Sequence, residues 1–348
     1  MDSTDWEAEL TADVLEDQYG FTASAVEPVP TSTETTVRRV LTDEGRRLVV
    51  KKYRATARQD TLRIALDMSE YCRAAQLPVP QVHPDVDGDL VTIAQGHAWS
   101  VTDEAPDLVS TSAMTLTLAE HIGTTLGRMH RVLAAYPLPE RVQQSRWRTE
   151  PVEHALAQCD AVLHRALRHR RVHGGHLISD LDQRREDLHR HTHRLRQQLP
   201  ENLIEHALHA HMSRTHLMVA ADTVTGIVGF HGATGITAWE LGRTAFDPRT
   251  VATSPAWAAC ALAMLAAYRE ENPTLPFSDL QACTRIALLD LLFGLHGATT
   301  AEHELSAVAQ ANSQLHWSQR QTTIQRLLDH LDDLDDAFAA LGPGTGRP

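Results

Sequence analysis

Three imidazoles stand in the segment HAHMSRTHLMV (His209–Val219), at His209, His211 and His216. A fourth, His231, follows in VTGIVGFHGATGITAWELGR (Val224–Arg243). Histidine titrates near neutrality, so His211 is a candidate general base. Three or four imidazoles that converge would also suit Zn²⁺. The plainer alternative is a set of neutral, hydrogen-bonded rings. A second grouping, HRHTHR, places His189 and His193 one helical turn apart; a metal could bridge them, but a solvated basic face explains the pattern more simply. No carboxylate occurs between His209 and Val219, which is unusual for a segment set between apolar strands.

The elements around these residues are readable from periodicity. Leu10–Tyr19 looks helical and ends at Gly20, a suitable C-cap. TVRRVL and RRLVVKKY flank TDEG and predict a β-hairpin. Arg58–Gln76 has helical periodicity and stops before LPVP, where a following proline disfavours the helix. QVHP and LVTIAQGHAWSVTDEA, separated by DVDGD, predict a further hairpin. Beyond Glu104 the pattern becomes helical. Leu118, Ile122, Leu126, Met129 and Leu133 recur at three- and four-residue spacing. Further helices are expected around PVEHALAQCDAVLHRALRHRR, LISDLDQRREDLHRHTHRLRQQLP, AWAACALAMLAAYREEN, FSDLQACTRIALLDLLFGLH and HWSQRQTTIQRLLDHLDDLDDAFAAL. A strand–turn–strand segment, 204–232, interrupts them. The order predicts an α+β chain: a small antiparallel β lobe with one inserted helix (1–104), a larger, mostly helical lobe (105–342), and a disordered tail (343–348).

The chain has 348 residues, 42% hydrophobic and 22% charged, with a formal net charge of −13. That charge excludes general nucleic-acid binding, which needs cations to displace counterions. The acidic, amphipathic N-terminus has no signal-peptide pattern, and no apolar run is long enough to span a bilayer. A cytoplasmic protein with no nucleic-acid or membrane partner is expected, its four cysteines being reduced core fillers. The His/Arg-rich run 164–196 contrasts with the acidic remainder and is a candidate docking face for an acidic peptide, subunit or phosphate. Leu327, Leu328, Leu331, Leu334, Phe338 and Leu341 form a packing stripe, with Asp332, Asp333, Asp335 and Asp336 expected on a solvated face.

Six landmarks in order carry a family resemblance. GRRLVVKKY is similar to the strand with the nucleotide-binding lysine. AAQLPVPQVHPDVDG is similar to the passage GxPVPxVxxxxDG, and HAWSVTDEAP sits where an interlobe hinge would be. IGTTLGRMH is similar to the helix LGxxLAxLH. HAHMSRTHLMV matches a catalytic loop of the form HADLSxxHLLV, and VTGIVGFHGATGITAWELGR matches VTGVIDWGDAxxGxxAxDLA. The chain thus resembles the aminoglycoside phosphotransferase, homoserine kinase and choline kinase group, whose fold is bilobal and protein-kinase-like.

The resemblance implies roles for individual positions. Lys51, with Lys52 as the adjacent alternative, would contact the nucleotide, as would Val101 and Asp103 of the hinge. Asp67 and Glu70 are the nearest acids for the lysine's helix partner, although neither fits the spacing. The loop PTSTETTVRRV, which would cover the nucleotide, has no glycine. His209 would be structural. The family's catalytic Asp falls on His211, its metal-binding Asn (His in some members) on His216, its metal-binding Asp on Gly229, and a second acid on His231. Glu240 takes the place of a mainly structural Asp. The fold would bring the four imidazoles towards one another.

Those exchanges bear on chemistry. Phosphoryl transfer relies on positioning and on neutralisation of phosphates, chiefly by Mg²⁺. Mg²⁺ prefers carboxylate and phosphate oxygens, whereas imidazole suits transition metals. Losing one preorganised electrostatic group commonly costs on the order of 10²–10³ in rate. His211 could replace the base but not the metal ligands. Asp222, at the tip of a predicted hairpin, and Asp247 would have to swing in to restore them. The resemblance therefore implies a pseudokinase-like binding component, with no metal held at His216, Gly229 or His231. ATP would bind, if at all, weakly or without magnesium. Its partner would be a small molecule, peptide or protein, in the manner of kinase-like components of peptide-modifying systems. The alternative is an active, ATP-dependent phosphotransferase acting on a hydroxyl through a histidine-based site.

Overall fold

The structure is a computed structural model that describes residues 3–29, 35–54, 57–106, 113–168, 175–295, 297–298 and 307–340. The chain divides into two compact units. The first comprises Met1–Ser110, Met129–Val142 and Ala207–Thr234; the second holds Thr111–Arg128, Gln143–His206 and Gly235–Pro348. The α+β class matches the sequence expectation. The units are discontinuous, however, and 207–234 groups with the N-terminal sheet rather than with the helices that flank it in sequence.

The sheet of the first unit contains β1 (Ala23–Val29), β2 (Thr35–Thr42), β3 (Arg47–Tyr53), β4 (Val82–His83), β5 (Thr92–Ala94) and β6 (His97–Asp103). Its order is β1-β2-β3-β6-β4, with β5 also on β6 and the pairings antiparallel. The β2–β3 hairpin turns at Gly45, where φ is +80°, a conformation glycine adopts freely. The second hairpin differs from expectation. It turns not at DVDGD but at Gln95-Gly96, both at positive φ, within what read as one strand. β4 then pairs with β6 through Val82↔Thr102. α1 begins at Ser3, well before Leu10, and β1 precedes the first expected strand.

Strand alternation decides between the two lysines. Leu48 and Val50 of β3 are buried with Val14 and Leu15 of α1 (Ser3–Tyr19) and with Trp99 and Val101 of β6. Lys52 shares that face. Its Nζ lies 2.6 Å from both carboxylate oxygens of Glu7 and 5.8 Å from the Trp99 ring centroid. Val49, Lys51 and Tyr53 point to the opposite face and line a cavity. Lys52 is thus an anchor for α1.

α2 (Gln59–Ala74) crosses that second face. Neither of its candidate acids is used on Lys51. Asp67 accepts the Tyr136 hydroxyl at 2.5 Å, and Glu70 accepts the Val82 N–H at 2.6 Å and Arg73 Nε at 2.7 Å. Glu70 therefore ties α2 to the strand that follows it. The α2 side of the cavity is made by Leu62, Ala65, Leu66 and Ser69.

The second unit is helical. The apolar stripe expected on α3 (Leu116–Leu133) is buried throughout, at 0–3% exposure. α5 (Val152–Arg168) and α6 (Gly175–Gln197) follow the short α4 (Arg146–Thr149), which periodicity does not reveal. α7 (Thr237–Ala245), α8 (Pro248–Thr253), α9 (Trp257–Glu271) and α10 (Phe277–Phe293) come next. The last expected helix is two, α11 (Ala307–Asp329) and α12 (Leu331–Ala340). Glycines let two pairs approach closely. A Cβ on Gly123 of α3 would stand 2.1 Å from the Met264 carbonyl oxygen of α9, and one on Gly242 of α7 would stand 2.6 Å from the Cys283 carbonyl of α10.

The basic run resolves into unlike parts. Arg184 is fully buried and donates to the carbonyls of Leu291, Leu292 and Gly294 at 2.7, 3.1 and 3.0 Å. It caps the C-terminal end of α10, sharing the Leu291 carbonyl with the Gly294 N–H and the Gly294 carbonyl with Arg320. Arg185 pairs with Asp160 and Asp182, whereas His189 and His193 are exposed. Residues 169–174 of the run lie outside the described residues. So do 30–34 of the expected covering loop, Leu341 and the tail. In the C-terminal stripe Leu327, Leu331, Leu334 and Phe338 are buried, and Asp335 pairs with Arg285 rather than facing solvent alone. The four cysteines are buried and unpaired with one another. No helix among the described residues is long and apolar enough to cross a membrane.

Gly123→Ala is expected to destabilise the protein by about 1–3 kcal/mol or more, because a backbone oxygen cannot yield as a side chain can. Thermal unfolding checks this; an unchanged midpoint would contradict the close α3–α9 packing.

Candidate functional site

The imidazole segment sits in a short scaffold within the first unit. After β7 (Glu205–Leu208) the chain passes a single 3₁₀ turn (Arg214–His216). It continues into the hairpin of β8 (Leu217–Ala220) and β9 (Thr223–Ile227), then loops back to β10 (Ala233–Ile236). Leu217 pairs with Ile227, which brings His216 beside Val228 and Gly229. The Val228 N–H donates to the His216 carbonyl at 2.9 Å.

His209 is the fixed point. It is 0% exposed, and its carbonyl accepts the N–H groups of His231 and Gly232 at 3.0 and 3.2 Å. Its Nδ1 accepts the His211 backbone N–H at 3.2 Å. The proton therefore belongs on Nε2, which donates to the Val228 carbonyl at 3.1 Å. One neutral tautomer ties both halves of the site together, the structural role expected from sequence. Between His209 and His211, Ala210 has φ of +64°, a left-handed conformation that costs a non-glycine residue about 1 kcal/mol or more.

His211, His216 and His231 come together as the resemblance implied. The His211 and His231 rings stack, with centroids 4.0 Å apart and planes at 22°. His211 and His216 are 4.3 Å apart at 46°. Face-to-face stacking is not the convergence of ring nitrogens that a metal requires. Among the described residues no group of three or more His, Cys, Asp or Glu is arranged to hold a metal ion. His216 Nδ1 lies 3.1 Å from Ser213 Oγ.

Burial, and after it the neighbours His211, His209, His231 and Lys51, lowers the pKa of His216 to about 2. Burial together with His211, Arg141, His209 and Lys51 lowers that of His231 to about 3. The His216 ring is neutral near neutrality because charging it costs desolvation beside existing cations; the more exposed His231 is shifted in the same direction.

Gly229 has φ of +79°, and a Cβ built there would lie 2.5 Å from Cδ2 of His216. The His216 ring occupies the volume that a side chain at 229 would need. The two positions are coupled: a side chain at 229 would have to displace the His216 ring from its present place.

These groups open onto a cavity of about 990 Å³, lined wholly by the first unit. Lys51, Asp103, His211, His216, Gly229 and His231 all line it. Val101 does not: its side chain is 0% exposed in the core shared with α1. The cavity carboxylates are already engaged. Asp103 Oδ1 is 2.7 Å from His83 Nε2, and Glu104 is 2.7 Å from Arg39 Nε and 3.7 Å from Arg47. Asp222 lies in the β8–β9 turn, as expected, while Asp247 caps α8 through the Arg249 N–H at 2.9 Å. The sequence reading missed Arg141, which lines the cavity from a segment far away in the chain. Nothing in its local context, LPERV, marks it.

Comparison with known proteins agrees with this architecture. The model of the phosphotransferase enzyme family, APH, matches residues 25–279, and the chain belongs to that family. Solved structures share its fold. An amicoumacin kinase in complex with AMP-PNP, Ca²⁺ and Ami is 15% identical with a TM-score of 0.64, over 92% of this chain and 96% of that one. An aminoglycoside phosphotransferase from Alicyclobacillus acidocaldarius is 12% identical with a TM-score of 0.63, over 92% and 96%. A microcompartment-associated aminopropanol kinase is 16% identical with a TM-score of 0.59, over 96% and 99%. No curated protein matches the chain.

The lowered pKa values predict an acid-sensitive stability. Below about 6.5 the unfolded His216 takes up a proton that the folded ring refuses. Its contribution is therefore complete above that pH and declines as the pH falls towards about 2, by at most about 1.4 kcal/mol per pH unit. Urea unfolding at stepped pH should show a shallower acid limb for His216→Asn than for the wild type. An unchanged limb would contradict the assigned protonation states.

Proposed function

We propose that this chain is a binding member of the phosphotransferase family, a pseudokinase-like protein. Its cavity holds the phosphates of a nucleotide or a similar anionic ligand without carrying out efficient transfer. The observation that carries the reading is the interlock of His216 with Gly229. The imidazole takes the space in which a metal-binding carboxylate would stand, and the rings beside it are further imidazoles.

The donor set does not fit Mg²⁺. The ion is hard and takes oxygen ligands. The inner end of the cavity offers stacked imidazoles and a glycine. Asp103 and Glu104 are bound to His83 and Arg39. No reaction step is therefore assigned to a bound magnesium ion. Lys51 supports the binding half of the reading: among the described residues no carboxylate lies within ion-pair distance of it, and it faces the cavity. A half-buried ammonium without a counter-ion favours an anionic guest. The ligand would be a small molecule or a peptide, or the cavity would serve a partner protein in a natural-product or peptide-modification pathway.

The competing reading is a working phosphotransferase with His211 as general base. It is favoured by the position of His211 at the cavity wall among rings that stay neutral.

Nucleotide binding is the first test. ATP should raise the thermal midpoint equally with excess magnesium and with EDTA. A stabilisation that appears only with magnesium would overturn the proposal. Restoration is the second. His211→Asp with Gly229→Asp alone should be poorly folded, because the new Cβ meets the His216 ring. Adding His216→Asn should recover the fold and raise ADP release with a panel of hydroxyl substrates. Wild-type turnover that is lost in the triple variant would favour the histidine-based enzyme.

A further inference from the structure

Any protein that holds a polyphosphate must offset its charge, and kinases do so largely with divalent cations. The demand is greater here, because the chain carries a formal net charge of −13. Arg39, Lys51 and Arg141 are among the cations that line the cavity. Arg39 is held by Glu104 at 2.7 Å. Lys51 faces the cavity, near the imidazoles of His216 and His231. Arg141 stands on the same side as these rings.

Arg141 is held in place by its backbone. Its carbonyl accepts the Thr234 N–H at 2.8 Å, and Thr234 Oγ1 donates to the Pro139 carbonyl at 2.8 Å. An isolated parallel bridge joins Val142 to Thr234. The side chain is anchored at one point only, where Nη1 donates to the His231 carbonyl at 3.3 Å. Among the described residues no carboxylate lies within ion-pair distance of its guanidinium, which is exposed at the cavity wall. A guanidinium fixed at one corner and open at the other matches the paired oxygens of a phosphate better than a lysine does.

We propose that Arg141 and Lys51 together form a metal-free polyphosphate site, with Arg141 supplying the neutralising charge that a divalent cation provides in magnesium-dependent phosphotransferases. This rests on the anion-binding reading given above. Lys51 reaches the ligand from the sheet and Arg141 from the segment after α3; Gly229 adds no carboxylate, and Asp103 and Glu104 of the lining are paired with His83 and Arg39. The shared chemistry is a triphosphate, whether free or carried on a nucleoside.

Isothermal titration calorimetry on the full chain tests the assignment, with ATP and inorganic tripolyphosphate each measured in EDTA and in excess magnesium. The wild type should bind both probes in EDTA. Arg141→Gln should weaken both roughly tenfold to a hundredfold, with Arg141→Lys intermediate; circular dichroism confirms that the variants are folded. Binding only when magnesium is present, or no binding of either probe, would overturn the anion-binding reading itself. Metal-free binding that Arg141→Gln leaves unchanged would overturn the role of Arg141 while sparing that reading. Loss of ATP binding with tripolyphosphate unaffected would also overturn it, because Arg141 would then not be reading phosphates.

Discussion

The site depends on one steric and electrostatic constraint: the His216 ring packs into the space over Gly229. A glycine there permits the left-handed backbone and the approach of the ring. The ring's burial in turn keeps it uncharged. One local packing choice therefore sets the shape of this cavity wall and keeps the His216 imidazole uncharged.

The scaffold around that constraint is conservative in its physics. His209, neutral and fully buried, ties the 211, 228, 231 and 232 backbones into one unit through both ring nitrogens and its carbonyl. The β8–β9 hairpin fixes the register that sets His216 against Gly229. On the opposite side of the cavity β3 presents Lys51, while Lys52 is spent on Glu7 and the Trp99 ring. Membership of the phosphotransferase family explains why these parts exist in this order; the residue types now filling them explain what they favour.

Much of this was legible from sequence. The period-2 pattern of RRLVVKKY and the three- and four-residue spacing of Leu118–Leu133 report burial directly, and both elements stand where expected. Hairpin register was less legible. Gln95-Gly96 makes a tight turn inside an apolar run, and the more conspicuous DVDGD drew the expectation away from it. The choice between Lys51 and Lys52 needed the α1 partner Glu7, which lies 45 residues away. Val101 read as a hinge contact because the landmark HAWSVTDEAP is local, whereas its burial comes from packing against α1. Arg141 was invisible because only tertiary contact brings it to the rings. The coupling of His216 to Gly229 could not be seen either: sequence shows two substitutions, and the structure shows that they fill one volume.

Mn²⁺, which substitutes for Mg²⁺ in carboxylate sites and is paramagnetic, reports directly on the central claim. Water-proton relaxation is measured as the protein is titrated into Mn²⁺ without nucleotide. The account predicts no saturable enhancement from this wall, because its imidazoles and bare backbone give the metal no carboxylate ligand. A saturable enhancement that disappears in His216→Ala would place a bound metal at this wall and contradict the account.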